Sequence, residues 1–153
     1  MRAYLGLVCL ALSGCASHDV FLYEARPDSA KPAIIGVSGI DVKLETIDGK
    51  VFENFGNKGI VHRVHVEPGT HRFGLMALSE FDFGYQTVSY KRDDAEVSAK
   101  VLAGHVYGFR SELTAEGRLF RIVDLGTDVD PSCFRPGLNG LTYVSQTCQW
   151  PTE

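Results

Sequence analysis

Ile60-Val61-His62-Arg63-Val64-His65-Val66 runs into Glu67-Pro68-Gly69-Thr70 and out through His71-Arg72-Phe73-Gly74-Leu75-Met76-Ala77-Leu78. Proline presets φ and glycine accepts positive φ, so the middle of this stretch is a turn. The reading is a strand, a tight connection, and a returning partner strand over His71 to Leu78. Working outward, the same period of two recurs. Ile40, Val42 and Leu44 alternate with Asp41, Lys43 and Glu45, the pattern of a half-buried strand. Asp48-Gly49 behind it is a strong hairpin signal. Tyr85 to Tyr90 leads into the polar break Lys91-Arg92-Asp93-Asp94, after which Val97, Ala99 and Val101 alternate with Glu96, Ser98 and Lys100. Ala103-Gly104 turns the chain into Val106 to Leu113, and Ala115-Glu116-Gly117 turns it again into Arg118 to Val123. About seven or eight short strands with turns every eight to twelve residues suggest an antiparallel sandwich or small barrel. No stretch of eight or more residues keeps a helical stripe. The expected architecture is all-β, a single antiparallel β-sandwich.

Length and composition agree. A chain of 153 residues has room for one domain, and 44% hydrophobic with 22% charged residues is an ordinary folded composition. No apolar run reaches the roughly 18 residues of a spanning helix. The net charge of -4 argues against nucleic acid as a partner, because neutralising phosphates needs a basic face.

The N-terminus carries an address. Met1-Arg2, an apolar stretch from Ala3 to Leu12 and then Ser13-Gly14-Cys15 describe a secretory signal too short to anchor by spanning. Leu12-Ser13-Gly14-Cys15 resembles the lipobox of bacterial lipoproteins, where cleavage precedes the cysteine and the cysteine is acylated. That resemblance implies a signal peptide over residues 1–14, a lipidated Cys15, and anchoring to a membrane by acyl chains such as palmitate. Two or more chains hold a protein stably, whereas one does so only marginally. Loss of Arg2 leaves 14 basic and 19 acidic residues, a net charge of -5. Ala16 stands where an aspartate would retain many lipoproteins at the inner membrane, so the expected location is the outer membrane, facing the periplasm. Residues 15–32 read as lipidated cysteine and tether, and residues 33–153 as the domain. Extended, the sixteen residues from Ala16 to Lys31 reach at most about 55 Å. Val20-Phe21-Leu22-Tyr23 is the apolar exception, suited to docking on the domain or to lying at the lipid surface.

Export leaves Cys133 and Cys148 as an even pair, read as a disulfide in an oxidising compartment. Closing a loop of about 15 residues contributes roughly 3 kcal/mol in the chain-entropy view, and pins the tail onto the domain. A redox-active pair ordinarily needs much closer spacing.

The order of elements resembles a large group of small proteobacterial lipoproteins of uncharacterised function. The residues that carry the likeness are Ile47-Asp48-Gly49-Lys50, the Pro68-Gly69-Thr70-His71 turn, Ala103-Gly104-His105-Val106-Tyr107, and the strand ending Ile122-Val123-Asp124. The Pro-Gly-x-His element is also similar to PEGA-type surface modules. The likeness spans about residues 33–125 and implies a compact β-sandwich with no active site to carry over.

Candidate chemistry is sparse. His62, His65, His71 and His105 invite a metal site, since neutral imidazole ligates zinc or copper. His62 and His65 sit an odd number apart and point to opposite faces of a strand. His65 and His71 flank the Pro68-Gly69 turn, where they start a pair that His105 or Glu67 would have to complete. The plainer reading is scattered turn and surface histidines, with no cofactor. Gly36-Val37-Ser38-Gly39 lacks the glycine spacing and following helix of a nucleophile elbow. Asp93-Asp94, Asp128 and Asp130 read as solvated turn or loop acids; Asp124, Asp128 and Asp130 offer oxygen ligands for calcium, but without an EF-hand-like spacing and closing glutamate. Phe81, Phe83 and Tyr85 share one side if extended, either facing the core or forming an aromatic platform for a protein or a glycan. The expected function is a non-enzymatic accessory module with an envelope protein partner. The alternative is a ligand-binding module, through histidines for metal or aromatic loops for glycan, with an envelope hydrolase as a third reading.

Overall fold

Alternating inward and outward side chains organise every long strand. The computed structural model describes residues 18–22, 30–39, 41–51, 61–82, 88–134 and 148–151. Within them lie β1 (His18–Phe21), β2 (Ala33–Gly36), β3 (Lys43–Ile47), β4 (Lys50–Val51), β5 (Val61–Val66), β6 (Gly69–Asp82), β7 (Val88–Val101), β8 (Val106–Thr114) and β9 (Gly117–Gly126). A single 3-10 turn, Pro131–Phe134, follows. The strands form a five-stranded sheet, β1-β5-β2-β8-β9, and a four-stranded sheet, β4-β3-β6-β7, packed as a β-sandwich. Residues 1–14, expected as a signal segment, and Cys15 lie outside the described residues, as do Phe83 and Tyr85.

The core lies between the sheets. Phe73, Leu75 and Ala77 point inward from β6, Val64 and Val66 from β5, Ala33 and Ile35 from β2, and Tyr107 and Phe109 from β8. Phe73 and Phe109 meet across the interface with ring centroids 5.4 Å apart. Each fully buried side chain of this size contributes roughly 1.5–3 kcal/mol relative to exposure.

Local turn chemistry behaves as the sequence reads. Asp48 (φ 52°) and Gly49 (φ 76°) both adopt positive φ in the two-residue turn that pairs Ile47 with Lys50, the conformation that suits right-twisted hairpin strands. Long-range pairing departs from the simplest reading in three places. First, β5 and β6 are not partners: β5 is flanked by β1 and β2, and β6 by β3 and β7. The Glu67-Pro68 turn therefore crosses from one sheet to the other. Second, two pairings are parallel, β1 with β5 and β2 with β8, in a fold otherwise antiparallel. Third, Lys91 to Asp94 does not break the chain. It continues β7 opposite Ser79 to Met76 of β6. Its charges are matched by Lys91–Asp93 (3.0 Å), Arg92–Asp94 (2.8 Å) and Arg92–Glu45 (2.7 Å) contacts. β7 edges the sheet, where charged side chains discourage pairing with another chain.

The segment expected as tether also folds in part. β1 adds to the free edge of β5, His18 opposite Val61 and Phe21 opposite His65, and the Leu22 N–H donates to the His65 carbonyl at 3.0 Å. At the other end of the chain Cys133 and Cys148 are joined as a disulfide. Phe134 and Trp150 lie against the outer face of the five-stranded sheet, and two glycines make room for them. A Cβ on Gly36 would lie 2.2 Å from the Phe134 ring, and one on Gly108 would lie 2.4 Å from Trp150.

Candidate functional site

Three aspartates reach three histidines, each from a different element. On β1, Asp19 accepts from Arg63 Nε (2.8 Å) and from His65 Nε2 (3.0 Å), both on β5. The Phe21 ring stacks on His65 at 4.3 Å. Burial pushes the Asp19 carboxyl up, but the bonds and charges of His65 and Arg63 outweigh it and hold the group below the usual carboxylate range. His65 Nδ1 is buried with no hydrogen-bonding partner among the described residues.

The second clamp ties the Asp48-Gly49 turn to the start of β6. One Asp48 oxygen accepts from the Arg72 N–H at 2.9 Å, and the other from His71 Nδ1 at 2.7 Å. His71 Nε2 lies 2.8 Å from the Glu67 carbonyl. Both ring nitrogens thus face oxygen atoms, one from each of two turns. Burial again raises the Asp48 carboxyl, and the Arg72 N–H and His71 bonds bring it below its ordinary value.

The third clamp closes the Ala103-Gly104 turn. Asp124 on β9 accepts from His105 Nδ1 at 2.9 Å and from the Gly126 N–H at 2.8 Å. Tyr107, whose hydroxyl accepts the Leu102 N–H at 3.0 Å, donates to the same carboxylate. Burial pushes the Tyr107 hydroxyl up, with Asp124 adding to the rise. Asp124 is raised by burial yet ends below the usual range through the bonds of His105, Gly126 and Tyr107.

These residues were legible as motifs but not as pairs. Asp48 of the Ile-Asp-Gly turn holds His71 of the Pro-Gly-x-His turn, and Asp124 holds His105 and Tyr107. His65, His71 and His105 therefore do not converge. Each has its own carboxylate, and among the described residues no group of three His, Cys, Asp or Glu side chains is arranged to hold a metal. No described serine, threonine or cysteine bonds to these three rings. As they stand, the pairs fix turns and a strand edge.

A fourth polar group lies between the far halves of the hairpins. Past Ala77, the inward row of β6 turns polar at Ser79, and that of β8 at Ser111. Arg118 of β9 fills the gap, its side chain only 8% exposed, bonding Ser79, Ser111 (2.9 Å) and Asp93 (3.2 Å). Ser111 in turn donates to the Asp41 carbonyl at 2.7 Å. Lys91 is the main cause that holds the Asp93 carboxyl below its ordinary value; Arg118 adds to the effect against partial burial. A cleft of about 350 Å³ opens beside this cluster, lined by Asp41, Leu78, Arg110, Glu112, Leu113 and Arg118. Nothing in the sequence reading singled out Arg118. Its signal is a basic residue at the head of a strand opposite two inward serines, visible only once the strands are aligned.

Phe81 lies on β6 opposite Ser89; its side chain, with Phe83 and Tyr85, lies outside the described residues. No protein-family model, curated protein or solved structure matches the chain.

Proposed function

We propose that the protein is an outer-membrane-anchored periplasmic lipoprotein, acting as a non-enzymatic accessory or interaction module of the cell envelope. The observation that carries this reading is Leu12-Ser13-Gly14-Cys15 behind a short apolar segment and ahead of Ala16. The likeness to small proteobacterial lipoproteins with PEGA-like turns belongs to the same reading. Support comes from the use made of the polar side chains: the Asp–His pairs and the Arg118 cluster hold turns and hairpins together. The disulfide suits an oxidising compartment. The metal version of the ligand-binding alternative would require His65, His71 and His105 to leave three separate carboxylates.

Two experiments test the proposal. Cys15→Ser should release the protein from the membrane fraction, and unchanged membrane partitioning contradicts the lipobox. In-cell cross-linking of the acylated protein should then capture a reproducible envelope partner. A clean lipoprotein with no partner, or a catalytic rate abolished by one point mutation, contradicts the accessory-module reading.

A further inference from the structure

Only three chain steps separate Cys15 from His18, the first residue of β1. They span at most about 11 Å. If Cys15 is acylated, as the proposed function holds, the start of β1 lies within that distance of the headgroups. The tether is therefore far shorter than the sequence suggests, and the domain must present a surface to the bilayer.

Strand register identifies which end of the sandwich that is. His18 is opposite Val61, β5 is antiparallel to β2 with Gly36 opposite Arg63, and β2 is parallel to β8 with Ile35 opposite Tyr107. Carried across the sheet, this register sets His18 level with Arg110 of β8. Beyond Arg110, β8 continues four residues to Thr114 before turning into β9 at Gly117, a projection of about 13 Å at the usual rise per residue. The anchor's reach and the hairpin's projection are nearly equal. On the facing sheet, Ser79 near the end of β6 bonds Arg118, so the β6–β7 ladder extends toward the same end.

The surface there has the character of a lipid contact. Leu113 continues the inward row of Tyr107, Phe109 and Ser111, yet it is 64% exposed. Leu78 is 54% exposed and lines the same cleft, with Arg110 beside it as a cation at headgroup height. We infer that the β8–β9 hairpin tip and the adjoining part of β6 rest on the bilayer, with Leu78 and Leu113 at its interface. The Asp48-Gly49 turn and Leu102 then face the periplasm.

Single tryptophans placed in the full, acylated chain test this. The variants are Leu78→Trp and Leu113→Trp at the proposed contact, and Val51→Trp and Leu102→Trp at the exposed opposite end. Each is reconstituted in phosphatidylethanolamine–phosphatidylglycerol vesicles with brominated acyl chains, Trp150 being a background common to all. Side chains settled about 5–10 Å into the interface should lose roughly half or more of their added emission, while Val51→Trp and Leu102→Trp keep theirs. Either contact variant suffices if the other fails to fold. Equal or stronger quenching at Val51 or Leu102, or no quenching at any site in a protein that floats with the vesicles, overturns the inference. An intact mass without acylation would instead remove the anchor, and both readings fall together.

Discussion

Asp19 accepts from Arg63 and His65 at once, so Asp19→Asn leaves both β5 side chains facing an amide. The expected cost at pH 7 is about 1 kcal/mol, read from urea unfolding, because the pair is partly solvated. The pH dependence has a definite sign. Asp19, Asp48 and Asp124 all have folded-state values depressed below their ordinary ones. Each therefore stabilises the fold above its unfolded value near 4, and that contribution is lost as pH falls through the lower folded value. The gap between wild type and Asp19→Asn should accordingly narrow below about pH 4. A gap that stays constant down to acid unfolding contradicts the pairing. At this scale the sequence was partly readable. Asp48-Gly49 announces its turn because positive φ is a local property of those two residues. That Asp48 also captures His71, 23 positions away, depends on two turns meeting at one end of the sandwich, which no local pattern encodes.

The elements make further demands. Arg118 joins β9 to β6, β7 and β8 through Ser79, Asp93 and Ser111. Arg118→Ala would remove the donor shared by the Ser79 and Ser111 hydroxyls, while Asp93 keeps Lys91, at a cost of roughly 1–3 kcal/mol. Arg118→Met, of similar length, should recover only the packing share of that loss. The tail offers an optical test, since Trp150 is the chain's single tryptophan and sits on Gly108. Gly108→Ala should displace it, shifting its emission to the red and costing about 1–3 kcal/mol by overpacking. Reducing the Cys133–Cys148 bond should lower stability by roughly 3 kcal/mol. An unshifted Trp150 in Gly108→Ala would contradict the docking of the tail. Strand positions were largely visible from period-two alternation, whereas partners were not. The Glu67-Pro68 turn looks the same whether it joins neighbours in one sheet or crosses between two. Lys91 to Asp94 reads as a break because four consecutive charges resemble a loop. Only the edge position of β7 and the counter-charges of Glu45 and Arg118 make it a strand.

For the whole molecule, the proposed acylation of Cys15 would join a folded domain to a membrane through very little chain. β1 is an edge strand of four residues, and its hold on β5 rests on Asp19, the Phe21–His65 stack and a short parallel ladder. The all-β class was legible throughout; the brevity of the link was not. A mixed stretch ahead of Pro27 and Pro32 gives no sign that its first part pairs in parallel with a strand more than forty residues later. The most direct test of the central claim is the intact mass of the protein extracted from membranes without reductant. The expected mass is that of a chain beginning at Cys15, carrying its acyl groups, with Cys133 and Cys148 linked. A chain that retains Met1, or an unmodified Cys15, contradicts it.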